Sequence, residues 1–174
     1  LFGSFTSGLA QNARLAEEYF RSGEYEKAAL MFKQLYDKNP SSDYYLNRFI
    51  DSKVAVNEYE DALKVVQQAI KMNPNTVSYY VSLGTIYERL GEEDKSEKEY
   101  RNAIEKMPPD RFQINRLANA FMSQTKYDLA IEAFKRGAEL LNDEGVFAYN
   151  LAELYRRKGD REEMMQYYLY AIEI

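Results

Sequence analysis

Apolar residues along this chain recur every three or four positions, which is the spacing of one face of an α-helix. Leu117, Ala118 and Phe121 form one such stripe, and a second stripe through Ala130 and Phe134 follows after a short interruption. The same order of stripe, interruption and stripe continues along the chain. The pattern predicts an all-α protein in which consecutive helices form hairpins.

The stripes repeat with a period of 34 residues. Neighbouring positions keep the same step, so that small, aromatic and leucine residues return in their own columns. A non-repeating helical bundle would share the helical spacing but would lack these registered columns, and the repeat is therefore favoured. One column consists of Leu15, Phe49, Leu83, Leu117 and Leu151.

Turn residues stand where each hairpin must reverse its direction. Gly23, Gly91 and Gly159 interrupt three of the units, and Asn57 and Thr125 occupy the same position in the other two. A helix often ends at a residue with a positive φ, which glycine adopts without steric cost. These five residues are therefore predicted to close the first helix of each unit.

Proline marks the end of the second helix in the first three units, at Pro40, Pro74 and Pro108. It lacks a backbone donor and disfavours helical backbone in the residue before it, so a helix stops there. Asn142 replaces proline in the fourth unit. We expect a longer or differently capped turn at that position.

This spacing and order of residues resemble the tetratricopeptide repeat family, and the resemblance extends over residues 9–174. It implies a right-handed α-solenoid of five stacked 34-residue helix-turn-helix repeats. Residues 1–8 are expected to form a tail outside the repeat, either a signal-peptide remnant or a linker. The expected units are 9–42, 43–76, 77–110, 111–144 and 145–174.

Composition removes several classes of function. The net charge of -5 and the pI near 5.0 disfavour nucleic acid, whose phosphates are bound by clustered Lys and Arg. The chain has no Cys and no His, so thiol and histidine chemistry are excluded. We expect no enzyme activity, no cofactor and no metal site. No apolar run approaches the roughly 18 residues of a membrane-spanning helix.

The resemblance implies a concave binding groove lined by the first helix of each unit. An asparagine amide there can donate to and accept from the backbone of a bound peptide, and an aromatic side chain can anchor it. The alternatives are solvation for the polar residues and packing between repeats for the aromatic ones. The predicted partner-binding residues are Tyr44, Asn47, Asp51, Phe112, Asn115, Asn119, Tyr149 and Arg156.

Some members of the family bind the C-terminal carboxylate of chaperones through a clamp of Lys, Asn and Arg on three successive first helices. That set is missing here, because Ala13 and Glu17 occupy the opening positions and Ser78 and Ser82 the closing ones. The resemblance therefore implies a protein or peptide partner without identifying it.

Both ends of the chain carry signals of their own. Gly8-Leu9-Ala10 resembles the small-residue end of a signal peptide, which favours an exported or periplasmic protein over a cytoplasmic one. The last helix, from Met164 to Ile174, is apolar on more than one face, unlike a terminal helix with a polar outer face. We expect further repeats, a following domain or a second copy of the chain to cover it.

Two functions fit these observations. The first is a protein-interaction scaffold that binds a partner peptide or domain in the concave groove. The alternative is a structural assembly or oligomerisation unit of a larger, secreted or envelope-associated complex, with the C-terminal helix forming a homo-oligomer. The mass of the chain in solution separates the two, because a recruiter stays monomeric whereas an assembly unit self-associates.

Overall fold

The computed structural model describes the backbone of residues 3–173 and the side chains of residues 8–173. Every regular element in that range is an α-helix, which confirms the prediction of an all-α chain built from helical hairpins. The ten helices are α1 (Gly3–Arg21), α2 (Tyr25–Lys38), α3 (Asp43–Ala55), α4 (Tyr59–Met72), α5 (Val77–Arg89), α6 (Glu93–Glu105), α7 (Arg111–Ser123), α8 (Tyr127–Leu141), α9 (Ala148–Lys158) and α10 (Arg161–Glu173).

Each hairpin reverses at the residue that the sequence predicts. Gly23, Gly91 and Gly159 have φ values of 80°, 74° and 80°. Asn57 and Thr125 adopt the same left-handed backbone, with φ values of 60° and 58°. The predicted turn positions are therefore confirmed, including the two at which a residue with a β-carbon accepts this conformation.

The turn after the fourth hairpin differs from the earlier ones, as predicted. α8 ends at Asn142, whose φ of 56° places it in the left-handed region. α2 and α4 end instead at Asn39 and Asn73, with φ values of -139° and -135°, and a proline follows each of them. Asparagine is the residue after glycine that most readily takes the left-handed cap, so it can replace the proline stop.

The first helix begins early in the chain. α1 starts at Gly3 and so includes most of the segment predicted to lie outside the repeat. Leu1 and Phe2 lie outside the described residues, and both the boundary at residue 9 and the signal-peptide interpretation stay predictions. No helix within residues 3–173 is long and apolar enough to cross a membrane.

The helices divide into two compact units, each with its own apolar core. The first unit contains the chain up to Asn73 together with Thr85–Ser96. Ala28, Phe32 and Leu46 are fully buried in it, where α2 packs against α1 and α3. The second unit contains Pro74–Gly84 together with the chain from Glu97 onwards.

Glycine lets helices of the second unit approach each other closely. A β-carbon on Gly84 would lie 2.5 Å from the ring of Tyr100. One on Gly137 would lie 2.5 Å from the side chain of Ile114 and 3.1 Å from the ring of Phe147. No larger residue fits at Gly84 or Gly137 without a shift of its neighbours.

Candidate protein-binding surfaces

The predicted binding residues lie on the first helices of three hairpins, α3, α7 and α9. Residues three, four or seven positions apart share one face of a helix. Tyr44, Asn47 and Asp51 therefore share a face of α3 in the first unit. The other predicted residues belong to the second unit, on α7 and α9.

The α3 surface, which consists of Glu17, Tyr44, Arg48 and Asp51, is organised around one carboxylate. Glu17 accepts a hydrogen bond from the Tyr44 hydroxyl and forms an ion pair with Arg48, whose Nε lies 2.8 Å from Glu17 Oε1. The Glu17 side chain is only 17% exposed. The Arg48 guanidinium also lies 4.6 Å from the centre of the Phe20 ring. These contacts fix Arg48 in place before any partner arrives, which lowers the entropic cost of binding.

Asp51 is the least satisfied charge of the α3 surface. Its nearest cation is Arg48, whose Nη1 lies 3.7 Å from Asp51 Oδ2. The pKa of Asp51 is raised to about 6, chiefly because the carboxyl loses surrounding water; Arg48 opposes this rise, and the nearby Glu17 adds to it. The side chain nevertheless keeps 54% of its surface accessible. A basic group of a partner placed here would therefore meet an exposed carboxylate that lacks a close ion pair.

Asn47, a predicted partner-binding residue, lies on the same helix. Its side chain is half-buried, and it takes part in interactions within the protein. Its availability to a partner stays a prediction.

The α7 surface, formed by Phe112, Asn115, Arg116 and Asn119, is more open. Phe112 is 67% exposed, and the Arg116 guanidinium lies 5.8 Å from the centre of its ring. The Asn115 amide donates to the backbone carbonyl of Arg111 at 2.8 Å, so part of its capacity is already used. Asn119 is exposed, and its side-chain amide makes no hydrogen bond with the described residues. An aromatic ring, a cation and an amide thus lie together on one helix face.

The α9 surface consists of Tyr149, Glu153, Arg156 and Tyr168. Tyr168 and Glu153 link Tyr149 to Arg156. Tyr149 is 62% exposed and packs edge-on against Tyr168 of α10, with ring centres 5.9 Å apart. Glu153 accepts from the Tyr168 hydroxyl and pairs with Arg156 Nη2 at 2.6 Å. The Arg156 and Tyr168 hydrogen bonds lower the pKa of Glu153. Arg156 is therefore engaged within the protein rather than free.

Sequence reasoning missed two residues that organise these surfaces. Arg48 was not among the predicted residues, although its place four residues after Tyr44 and three before Asp51 puts it on their face. Tyr168 was not among them either, although it is half-buried and its hydroxyl donates a hydrogen bond to Glu153. Helical spacing could have found the first but not the second.

Known proteins share the repeat and the fold. Two family models, both described as tetratricopeptide repeat, match residues 47–111 and 147–174. The Hsp70-Hsp90 organising protein of Plasmodium falciparum is 33% identical over 114 residues, which make up 61% of this chain and 20% of that protein. This chain spans between 20% and 38% of the length of that relative and of two further curated proteins that it matches.

Solved structures of PcrH have the same fold. The crystal structure of PcrH from Pseudomonas aeruginosa matches with a TM-score of 0.56 and 16% identity, covering 78% of this chain and 92% of PcrH. A second structure, of PcrH in complex with the chaperone binding region of PopB, matches with a TM-score of 0.53 and 19% identity, covering 75% of this chain and 94% of PcrH. The two family matches together cover more than half of the residues, and the chain belongs to the tetratricopeptide repeat family.

Proposed function

We propose that this protein is an interaction scaffold that binds a segment of another protein on the exposed faces of its first helices. The observation that carries the proposal is the α7 surface, where exposed Phe112 lies beside Arg116 and an Asn119 amide that bonds no described residue. Exposed aromatic and arginine side chains are the types most often found at the energetic centre of interfaces. Family membership and the PcrH complex, in which a related fold holds a region of another protein, support the same function.

The α7 and α3 surfaces favour different chemical groups of a partner. On the α7 surface, Asn119 can bond a peptide backbone while Arg116 attracts a carboxylate. On the α3 surface, Asp51 attracts a basic group. The segment that we propose for the α7 surface therefore carries an apolar side chain for Phe112 and a carboxylate for Arg116, whereas a segment bound to the α3 surface carries a basic group.

The chaperone C-terminus is not the ligand that we propose. A relative is named for organising Hsp70 and Hsp90, but this chain has Ala13 and Glu17 where the carboxylate clamp of the family opens. Glu17 is an acidic residue paired with Arg48, so a second carboxylate brought to this position would meet like charge.

The experiment starts from a peptide selected for binding from a random library displayed on phage. Its affinity is then measured by calorimetry for two double variants, Phe112→Ala with Asn119→Ala, and Tyr44→Ala with Asp51→Asn. At least one pair should weaken binding about tenfold or more, because it removes an anchor together with its polar neighbour. The matched control is Leu30→Ala, an exposed apolar residue on the second helix α2. Unchanged affinity in both double variants, with helicity retained, would contradict the proposal.

A second candidate function, assembly with another copy of the chain, is favoured by α10. Met165, Leu169 and Ile172 share one face of this helix and are all exposed, and α10 has no buried residue. The column of Leu169 is polar in every earlier unit, so the apolar residue is not a requirement of the repeat. The earlier members of that column are Lys33, Gln67, Arg101 and Lys135.

Sedimentation velocity tests the assembly function. The wild-type chain should form a dimer at about 100 μM, and Leu169→Lys should shift it to monomer because the charge would be buried in the contact. Leu30→Lys is the control, since it places the same charge on an exposed leucine of another helix. A monomeric wild-type chain at that concentration would rule out self-assembly through α10.

A further inference from the structure

A groove with a volume of about 720 Å³ lies in the second unit where α8, α9 and α10 meet. Its floor is formed by the buried side chains of Ala138, Leu151 and Tyr155, and Tyr167 and Tyr170 line its side. We call it the α10 groove. It shares no residue with the α3, α7 or α9 surfaces. Its charged lining residues are Lys135, Glu139, Glu144 and Glu163.

Two tyrosine rings of the groove already hold a cation. Tyr155 and Tyr167 are stacked, with ring centres 5.5 Å apart and an interplanar angle of 14°. Lys135 Nζ lies 5.7 Å from the centre of the first ring and 5.9 Å from that of the second. These distances are within the range in which a ring face attracts a cation. The hydrogen bond to Tyr155 raises the pKa of Lys135, so its ammonium stays charged.

In two other hairpins, the lysine over the tyrosine ring belongs to the same hairpin as the tyrosine. In the first hairpin, Lys27 Nζ lies 5.2 Å from the centre of the Tyr19 ring. In the third, Lys95 Nζ lies 5.3 Å from that of the Tyr87 ring. Both lysines follow their tyrosine by eight residues, which brings them back across the turn onto its ring.

In the fifth hairpin, the residue eight positions after Tyr155 is an acid, Glu163. The lining residues of the groove therefore include three carboxylates but one ammonium. Glu139 is partly neutralised by Arg136, whose Nη1 lies 2.9 Å from its Oε2. Glu163 has an acidic neighbour instead, since a hydrogen bond with Asp160 raises the pKa of Glu163. The groove thus combines aromatic faces with an excess of negative charge, which suits a cation from outside.

We propose that the α10 groove binds an arginine side chain of a partner polypeptide. A planar guanidinium can stack on a tyrosine ring and bond a carboxylate through two parallel N–H groups, which an ammonium cannot do. The guanidinium takes the place of the Lys135 ammonium over Tyr167 and pairs with Glu163. This site is formed by other residues than the first-helix surfaces and goes beyond the function proposed for them.

The probe is the peptide acetyl-Ala-Arg-Ala-amide, titrated into the full chain while the tyrosine ring signals are followed by NMR. The matched peptide contains norleucine in place of arginine, and so has a similar length without the charge. The arginine peptide should shift the ring signals of Tyr155 and Tyr167, and the norleucine peptide should leave them unchanged.

Two variants should change the affinity of this peptide in opposite directions. Glu163→Gln removes the ion-pair partner and should weaken binding about fivefold. Lys135→Met removes the competing cation while keeping an apolar chain of similar length, and should tighten binding about threefold. Glu162→Gln is the control, because this exposed neighbour does not line the groove and its loss should have little effect. Phe112→Ala with Asn119→Ala should leave binding unchanged, which separates this site from the α7 surface.

Three results would overturn the proposal. Equal binding of the arginine and norleucine peptides would remove the role of the charge. Weaker binding in Lys135→Met would show that Lys135 supports the ligand rather than competes with it. Equal losses in Glu162→Gln and Glu163→Gln would mean that the peptide responds only to the overall negative charge of α10.

Discussion

The α3 and α7 surfaces occupy the same positions of the repeat, two units apart, but they use their arginines differently. Arg48 of α3 is bonded to Glu17 and lies beside Asp51. Arg116 of α7 contacts an aromatic ring and has no carboxylate within ion-pair distance among the described residues. The α3 surface is therefore largely satisfied by its own side chains, whereas the α7 surface keeps its cation available to a partner.

Two exchanges between equivalent positions account for this difference. The position of Asp51 is taken by Asn119 in the fourth unit, and that of Glu17 is taken by Thr85. Each exchange replaces an acid by an uncharged residue. The acids near the arginine, rather than the arginine itself, therefore decide which sign of charge a surface presents.

The largest loss of unfolding free energy is expected when a larger side chain is placed in the core of the second unit, which carries the α7 surface. Gly84→Leu places a side chain where even a β-carbon would lie 2.5 Å from the Tyr100 ring, and should cost roughly 1–3 kcal/mol of unfolding free energy. Hydrogen exchange should become faster in α7 and α8 and stay unchanged in α2 and α3. Lys98→Leu, which adds the same side chain at an exposed position of the second unit, is the control. Equal acceleration in both units would mean that they unfold together.

A smaller loss of stability is expected from a substitution that makes the α3 surface resemble the α7 surface. Glu17→Thr introduces the residue of the equivalent position, and it leaves the Tyr44 hydroxyl without its acceptor and the Arg48 guanidinium without its closest ion-pair partner. The unfolding free energy measured with urea should fall by about 1–2 kcal/mol, since both donors are only partly exposed. Glu18→Thr is the control, because it removes a 66% exposed acid that lies 4.0 Å from Arg14. It should change the unfolding free energy by less than about 0.5 kcal/mol. Equal effects of the two changes would show that the Glu17 contacts do not stabilise the fold.

Local features of the fold could be predicted from the sequence because they depend on single positions. A positive φ at Gly23 or Asn57 follows from the need to reverse the chain between two stripes. The left-handed cap at Asn142 follows from the missing proline. The close approach at Gly84 follows from a small residue in a column next to aromatic ones. Each of these signals lies within one unit of the repeat and needs no knowledge of how units pack.

The pairing of side chains on the candidate surfaces could not be predicted in the same way. Helical spacing places Tyr44 and Asp51 on one face, but the ion pair between Arg48 and Glu17 joins residues 31 positions apart on different helices. The repeat pattern describes residues that are alike in each unit, whereas these bonds depend on residues that differ between units. For the same reason, the sequence did not show that Arg156 is already paired.

The smallest expected change in stability comes from Asp51, and it depends on pH. The pKa of Asp51 is raised from 3.8 to about 6 in the folded protein, so the folded state binds this proton more tightly than the unfolded state. The stability that the group contributes is complete below about pH 4 and is lost as the pH rises through about 6.

Asp51→Asn removes this titration and introduces the residue of the equivalent position on α7. The variant should therefore gain stability relative to the wild type between pH 4 and pH 7, by about 0.5 kcal/mol, because water screens a side chain that is more than half exposed. The reciprocal change, Asn119→Asp, places a carboxylate near an arginine without other acids and should show no such gain. Urea unfolding at pH 4, 5, 6 and 7 measures both differences. A constant difference between Asp51→Asn and the wild type across this range would show that Asp51 titrates at its ordinary pKa, and the contrast between the two surfaces would then rest on Glu17 alone.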